Sequence, residues 1–245
     1  PELDSFEKRI VRQSTKIYDR TGEVLLYDVH ENVQRTVIPL SDVSRHIKNA
    51  TVAIEDAEFY DHKGIKLQAI LRAILVNLGA LEFSQGGSTI TQQVVKNSIL
   101  TSEKKISRKL KEWILSLRLE QELSKEEILE LYLNESPYGG NIYGIEEASE
   151  MFFNKSASYL TLSESAYLAA LPQAPTFYSP YGNNKNRLEE RKSLVLDRMF
   201  QNGFITQEEY LLASQETTKF KPQRDIGINA PHFVFFIREY LENKY

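Results

Sequence analysis

Two glutamates, Glu55 and Glu112, lie in separate polar clusters, and a glycine-rich segment, Gly86-Gly87-Ser88-Thr89-Ile90-Thr91-Gln92-Gln93, lies between them. A carboxylate can take a proton from a hydroxyl when its surroundings raise its pKa toward neutrality. A glycine-rich loop that opens into a helix offers free backbone N–H groups to an anion. Two carboxylates far apart in sequence, with an anion-binding loop between them, suit chemistry at a sugar carbon whose leaving group is a phosphate.

The first cluster is Ile54-Glu55-Asp56-Ala57-Glu58-Phe59-Tyr60-Asp61-His62-Lys63-Gly64. Helical spacing would put Glu55, Phe59 and His62 on one face. An aromatic ring beside a carboxylate removes hydration and raises its pKa toward that of a useful base. Asp56 can hold the loop or a neighbouring cation. The plain alternative is a solvated acidic turn with a structural His62 at a helix end.

In the second cluster, Gly86 and Gly87 permit backbone geometries closed to other residues, and Ser88 or Thr89 then caps a helix. Thr89, Gln93 and Lys96 recur at i, i+4 and i+7, a polar face with a cation at its end. The order of a nucleotide P-loop is absent. An ordinary capped helix is the alternative, although no apolar stripe demands Gln92 and Gln93.

The third cluster falls in residues 102–123, read as an amphipathic helix. Ile106, Leu110, Trp113 and Leu117 make its apolar stripe. Lys105, Lys109, Glu112 and Ser116 line a second stripe, with Arg108 one turn before Glu112. Ion pairing along a helix surface would explain this at a few tenths of a kcal/mol. The functional reading has Glu112 and the cations facing a cleft and managing a pyrophosphate.

The elements that must hold these clusters are mostly helical. Residues 14–38 read as a β-hairpin with a turn at Asp19-Arg20-Thr21-Gly22. After Pro39 the pattern turns helical, with about seven to nine helices expected. Capping boxes are marked by Ser124 with Glu127, Thr161 with Glu164, and Thr206 with Glu209. Stops are marked by Gly64, Pro137, Pro172 and Gly203. Residues 67–83 are apolar on most sides and fit either a buried core helix or a segment lying at a membrane surface. Residues 216–231 are polar and read as an extended linker.

Composition narrows the class. The chain has 245 residues, 41% hydrophobic, which supports a packed core in one large domain or two small ones. A formal net charge of −4 gives no long-range pull toward nucleic acid or anionic lipid. The absence of cysteine rules out disulfides and thiolate metal sites. No run of 18 apolar residues occurs and no signal peptide is evident. The start at Pro1 reads as an excised piece that an anchor preceded.

Taken in order, these blocks resemble the family 51 glycosyltransferases, the peptidoglycan polymerases of class A penicillin-binding proteins and monofunctional transglycosylases. The resemblance is carried by Glu55-Asp56-x-x-Phe59-x-x-His62-x-Gly64, by Gly86 through Gln93 with Lys96-Asn97, and by Arg108-Lys109-x-x-Glu112 with Leu119-Glu120. It continues through Tyr132-Leu133-Asn134, Tyr138-Gly139 and Gly144-Ile145, then Glu164-Ser165-Ala166 and Leu171-Pro172-Gln173 to Tyr178-Ser179-Pro180. Ser149 and Asn154 depart from the family pattern as small or turn-compatible replacements.

The resemblance implies a mainly α, lysozyme-like helical fold with a small membrane-contacting second lobe at about 65–85 and an N-terminal β-hairpin. It implies a hairpin and linker over 1–40 after a membrane anchor, a glycosyltransferase domain over 41–215, and a linker over 216–245 toward a transpeptidase domain. The implied reaction is processive, inverting β-1,4 polymerisation of lipid II at the extracytoplasmic face of the bacterial inner membrane. The growing glycan on undecaprenyl diphosphate is the donor and lipid II the acceptor. Glu55 is then the base, and Glu112 orients cations or a metal. Asp56, Phe59 and His62 shape the base's environment, and Gly86, Ser88, Thr89, Gln92, Gln93, Lys96, Asn97, Arg108, Lys109 and Asn134 bind substrate. A divalent cation, Mg or Mn, is the one cofactor this leaves room for; no organic cofactor and no nucleic acid partner are expected. A lytic enzyme that cleaves glycan strands and a non-catalytic membrane-surface scaffold are the rival readings.

Overall fold

The structure, a computed structural model, describes residues 15–23, 25–29, 34–66, 87–98 and 106–222, with four single positions beyond 232. The expectations for residues 67–83, for Gly86, for the side chain of Arg108 and for most of the tail lie outside the described residues.

A short antiparallel hairpin pairs β1 (Thr15–Tyr18) with β2 (Leu25–Val29), Ile17 facing Tyr27, with a register shift before Tyr18. Its turn closes where the sequence marks it: Gly22 N–H donates to Asp19 O at 3.1 Å, and Gly22 takes a φ of 75°. The hairpin is anchored by Lys16, whose ammonium lies 2.7 Å from the buried Glu147.

Eight α-helices follow among the described residues: α1 (Arg45–Glu55), α2 (Ile90–Ser98), α3 (Ile106–Glu122), α4 (Lys125–Glu135), α5 (Ile145–Phe153), α6 (Leu162–Ala170), α7 (Lys185–Gln201) and α8 (Gln207–Gln215). Between α4 and α5 lies a small ribbon of β3 (Pro137–Gly139) and β4 (Ile142–Tyr143). The three expected capping boxes all form, at the starts of α4, α6 and α8. These signals are local, which is why they can be read without knowledge of the fold. Asn154 ends α5 with φ 58°, the left-handed conformation that asparagine tolerates better than most residues. Ser149, fully buried on α5, donates to Lys155 O at 2.7 Å.

Packing arranges these helices in two groups around one core. Helix α1 packs on α6 and α7, and α2 packs on α3 and α4. Ile47, Ala50, Ile90, Val95, Leu133 and Leu168 are fully buried in the shared core. The bend between the groups is fixed at Gly64. Its φ is 85°, and a Cβ there would stand 2.7 Å from Ser116 O on α3. Only glycine tolerates both the dihedral and the approach.

Helix α3 does not bury the whole of its expected apolar stripe. Leu110 and Leu117 are 52% and 39% exposed, Trp113 is half-buried, and Ile114 is 55% exposed. The buried side carries Glu112, Leu115, Ser116 and Leu119. The inner face must meet the Gly64 backbone and present a carboxylate, so polar and small groups face inward there.

After α8 the chain runs back over α5 and α6. Phe220 enters a set of rings formed by Phe152, Phe153, Tyr167 and Tyr181, stacking on Phe153 at 5.2 Å. Lys221 N–H donates to Phe152 O at 2.8 Å, and Tyr181 Oη donates to Lys221 O at 2.7 Å. Residues 216–222 are therefore packed onto the helices rather than extended away from them.

Candidate active site

Helix α1 ends at Glu55 because the next side chain turns inward. Asp56 is the C-cap, with no side-chain exposure. Its Oδ2 accepts the Ile90 N–H at 3.1 Å and a proton from His62 Nε2 at 2.8 Å, and its Oδ1 ion pairs with Lys66 at 2.8 Å. Ile90 opens α2, so one carboxylate ties the end of α1 to the positive end of α2. His62 Nδ1 accepts the Gly64 N–H at 3.1 Å, which leaves Nε2 as the donor to Asp56. Burial pushes the Asp56 pKa up, but the bonds from His62 and Lys66 outweigh it and hold the group below the usual carboxylate value.

The single helical face expected for Glu55, Phe59 and His62 does not form, since residues 57–65 are turns and bends. Phe59 is fully buried, which contributes roughly 1.5–3 kcal/mol to stability, and it meets His62 edge-on at 6.3 Å. The Lys125 ammonium sits 4.6 Å from the Phe59 ring and donates to His62 O and to Glu120, each at 2.7 Å. Glu120 in turn accepts from Thr91 at 2.5 Å. Phe59 and His62 support the loop and do not line the cleft.

Glu55 is held from α2. Gln93 Nε2 donates to its Oε2 at 2.7 Å. Its Oε1 is buried without a hydrogen bond among the described residues, with Arg191 Nη2 4.0 Å away. Burial raises the Glu55 pKa; the Gln93 bond and the charges of Arg191 and Lys96 oppose the rise, and Asp56 adds to it. A carboxylate with one uncommitted oxygen and a raised pKa is built to accept a proton.

Glu112 is also buried, at 3% exposure, but it is bound to the Lys109 ammonium, which donates to Ser88 Oγ at 3.1 Å as well. Glu55 and Glu112 line one cleft of about 540 Å³ together with Ser88, Gln92, Gln93 and Lys96. Lys66, Arg191 and Arg198 add positive charge to the same walls. The arrangement can take a proton at one side and receive a developing anion at the other.

Three expected substrate residues stand elsewhere. Thr89 caps α2: Gln92 N–H donates to its Oγ1 at 3.1 Å, Gln92 Oε1 accepts the Thr89 N–H at 2.8 Å, and Thr89 Oγ1 donates to Gly64 O at 2.6 Å. With 1% exposure and every polar atom engaged, Thr89 serves the fold. Asn134 likewise stands outside the cleft lining. Its amide clamps Ile38, accepting from Ile38 N–H at 3.1 Å and donating to Ile38 O at 2.9 Å and Glu130 O at 3.0 Å. Asn97 is exposed on α2 outside the cleft lining.

The sequence reading missed Lys66, Arg191 and Arg198. Arg191 is fixed by donating to Ala170 O at 2.9 Å and by lying over the Tyr178 ring at 5.4 Å. Arg191, Leu194 and Arg198 recur at i, i+3 and i+7 on α7, and all three line the cleft; that spacing was the available signal.

Among the described residues no group of three or more metal-ligating side chains forms. Each cleft carboxylate already holds a partner: Glu112 with Lys109, Asp56 with Lys66, Glu55 with Gln93.

Comparison with known proteins follows the same lines. A family profile described as Transglycosylase matches residues 22–200. The chain is 39% identical over its whole length to a penicillin-binding protein 1A of Aquifex aeolicus, spanning 33% of that protein. It is 43% identical over 79% of its length to a penicillin-binding protein 1A of Clostridium botulinum, spanning 24% of it. The crystal structure of penicillin-binding protein 1A from Haemophilus influenzae shares the fold, with a TM-score of 0.52 and 24% identity over 97% of this chain and 25% of that one. This chain belongs to the transglycosylase family.

Proposed function

We propose that this domain is a peptidoglycan glycosyltransferase that polymerises lipid II into β-1,4-linked glycan, with inversion and release of undecaprenyl diphosphate. One observation carries the reading: a partly buried acid with a raised pKa shares a cleft with Lys96, Arg191 and Arg198. Glu55 takes the proton of the acceptor's sugar 4-hydroxyl as that oxygen attacks the anomeric carbon. The bond from that carbon to the diphosphate oxygen breaks, and the leaving group departs with added negative charge. Lys96, Lys109 and the arginines of α7 meet that charge. Gln93 aims Glu55, and Glu112 aims Lys109 at the same region. A divalent cation, Mg or Mn, would share in neutralising the diphosphate as it departs.

The surrounding reading is of the same kind. The domain works at the extracytoplasmic face of the bacterial inner membrane, as a lysozyme-like unit with a membrane-contacting lobe near residues 65–85, and is fused to a transpeptidase domain. None of its described helices is long and apolar enough to cross a membrane. A glycan-cleaving enzyme would need two acids flanking a sugar bond, and it has no use for this row of cations. The test is to incubate the full-length protein and its E55Q variant with lipid II and, separately, with intact sacculi. Polymer from lipid II, lost in E55Q, supports the reading; soluble fragments from sacculi without polymer overturn it.

A further inference from the structure

Nothing in the sequence pattern marks Lys66. Its ammonium stands 2.8 Å from Asp56 Oδ1 and 3.4 Å from Glu58 Oε2, and its side chain is 27% exposed where it lines the cleft. Asp56 has no exposure at all and keeps its charge. Its other partners are the Ile90 N–H and His62 Nε2. Among the described residues, Lys66 is the one lysine or arginine that pairs with this carboxylate. A buried carboxylate deprived of its counter-ion is strongly disfavoured.

We propose that Lys66 is a positioning residue for the base, acting through Asp56: it holds the 56–66 loop against the start of α2 and compensates the charge beside Glu55. The proposal rests on the reading of Glu55 as the base.

The geometry sets the sign of the effect. Asp56 follows Glu55 in the chain, and its charge opposes ionisation of Glu55. Lys66 pairs with that charge and lines the same cleft. The other groups facing Glu55 are Gln93 and Lys96 from α2 and Arg191 from α7. Tyr132 from α4 and Tyr138 from β3 complete its surroundings. None of these contacts Asp56. Glu112, across the cleft on α3, has Lys109 as its partner. Glu58 draws on Lys66 from the solvent side, where it is 64% exposed. Without Lys66 the field of Asp56 acts in full, Glu55 holds its proton to higher pH, and the acid limb of the rate moves upward.

The test uses the full-length protein with K66Q, K66R, E58Q and the double variant K66Q/D56N. Two readouts are needed: the carbon-13 carboxyl titration of Glu55 without substrate, and the pH profile of kcat/KM on lipid II. In K66Q the Glu55 titration and the acid limb of the profile should both move to higher pH, with kcat/KM at pH 6 about fivefold below the parent and the gap closing as pH rises. K66R should restore most of the difference, and E58Q should stay within about twofold. The double variant removes the charge together with its counter-ion, so its Glu55 should titrate no higher than in the parent. A K66Q limb that coincides with the parent's, or a loss confined to KM at every pH, overturns the proposal. Should K66Q fail to fold, the double variant decides, and a Glu55 that titrates above the parent's there overturns it. The titration needs no substrate, so a parent protein inert on lipid II would sink the polymerase reading separately.

Discussion

Glu55 and Glu112 line the same cleft, and Glu112 is the more deeply buried, with 4% of its side chain exposed against 13% for Glu55. Their partners differ. Glu55 leans on an amide, and its second oxygen has no hydrogen bond among the described residues; Glu112 is bound to an ammonium. Burial alone therefore does not make a base. A hydrogen bond from an amide, with the nearest cation held off at 4.0 Å, leaves the acid able to gain a proton, whereas an ammonium in direct contact pairs with the carboxylate charge. The cleft is polarised by this difference, with proton chemistry on the side of α1 and charge management on the side of α3.

Four substitutions would break or sharpen that contrast. E55Q should lower polymerisation about 10³-fold or more, roughly 4 kcal/mol of transition-state stabilisation. It should also raise Tm by about 2–4 °C at pH 8. The fold raises the Glu55 pKa above its unfolded value, so stability falls as pH rises through the folded pKa, and the amide escapes that loss. A polymerisation assay beside a thermal melt checks both, and turnover within tenfold of the parent would remove Glu55 as the base.

G64A attacks the joint between the two sides. The Cβ clash with Ser116 O and the φ of 85° should cost roughly 3 kcal/mol, read by denaturant unfolding. An unchanged midpoint would show that α3 can shift freely. E112Q should lower kcat about 30-fold while leaving the acid limb of the pH profile in place, because it releases Lys109 and spares the base. A moved limb would mean the two acids share one task. K96A should lower kcat/KM about tenfold, weakening donor binding and charge stabilisation together, and the loss should shrink in high salt. Unchanged kinetics would remove Lys96 from the site.

How far the sequence reveals such a site depends on the range of the forces involved. Ser124, Thr161 and Thr206 announce their helices because a capping box is closed within four residues. Glu55, Gln93, Lys96 and Glu112 could be named as polar groups without an apolar reason to exist. Their partition into base and counter-ion pair could not, since it depends on which side chains meet across α1, α2 and α3. Thr89 and Asn134 looked like ligand contacts for the same cause: their polarity is visible, but the backbone groups they satisfy at Gly64 and Ile38 are distant in sequence. Helix α3 is the sharper case. Periodicity tells which residues share a face, not which face turns inward, and here Leu110 and Leu117 face out while Glu112 and Ser116 face in. Arg191 and Arg198 lay in a charged helix that resembled ordinary solvated surface.

The packing of Phe220 bears on where this unit can be cut. A chain stopped at Gln215 would uncover the three rings around Phe220 and leave Phe152 O and the Tyr181 hydroxyl without their backbone partners. Tyr181 belongs to the same connection as Pro172 and Gln173, which face the cleft. Trimming to the final helix would thus loosen a wall of the candidate groove, and a fragment that keeps these contacts retains Phe220 and Lys221.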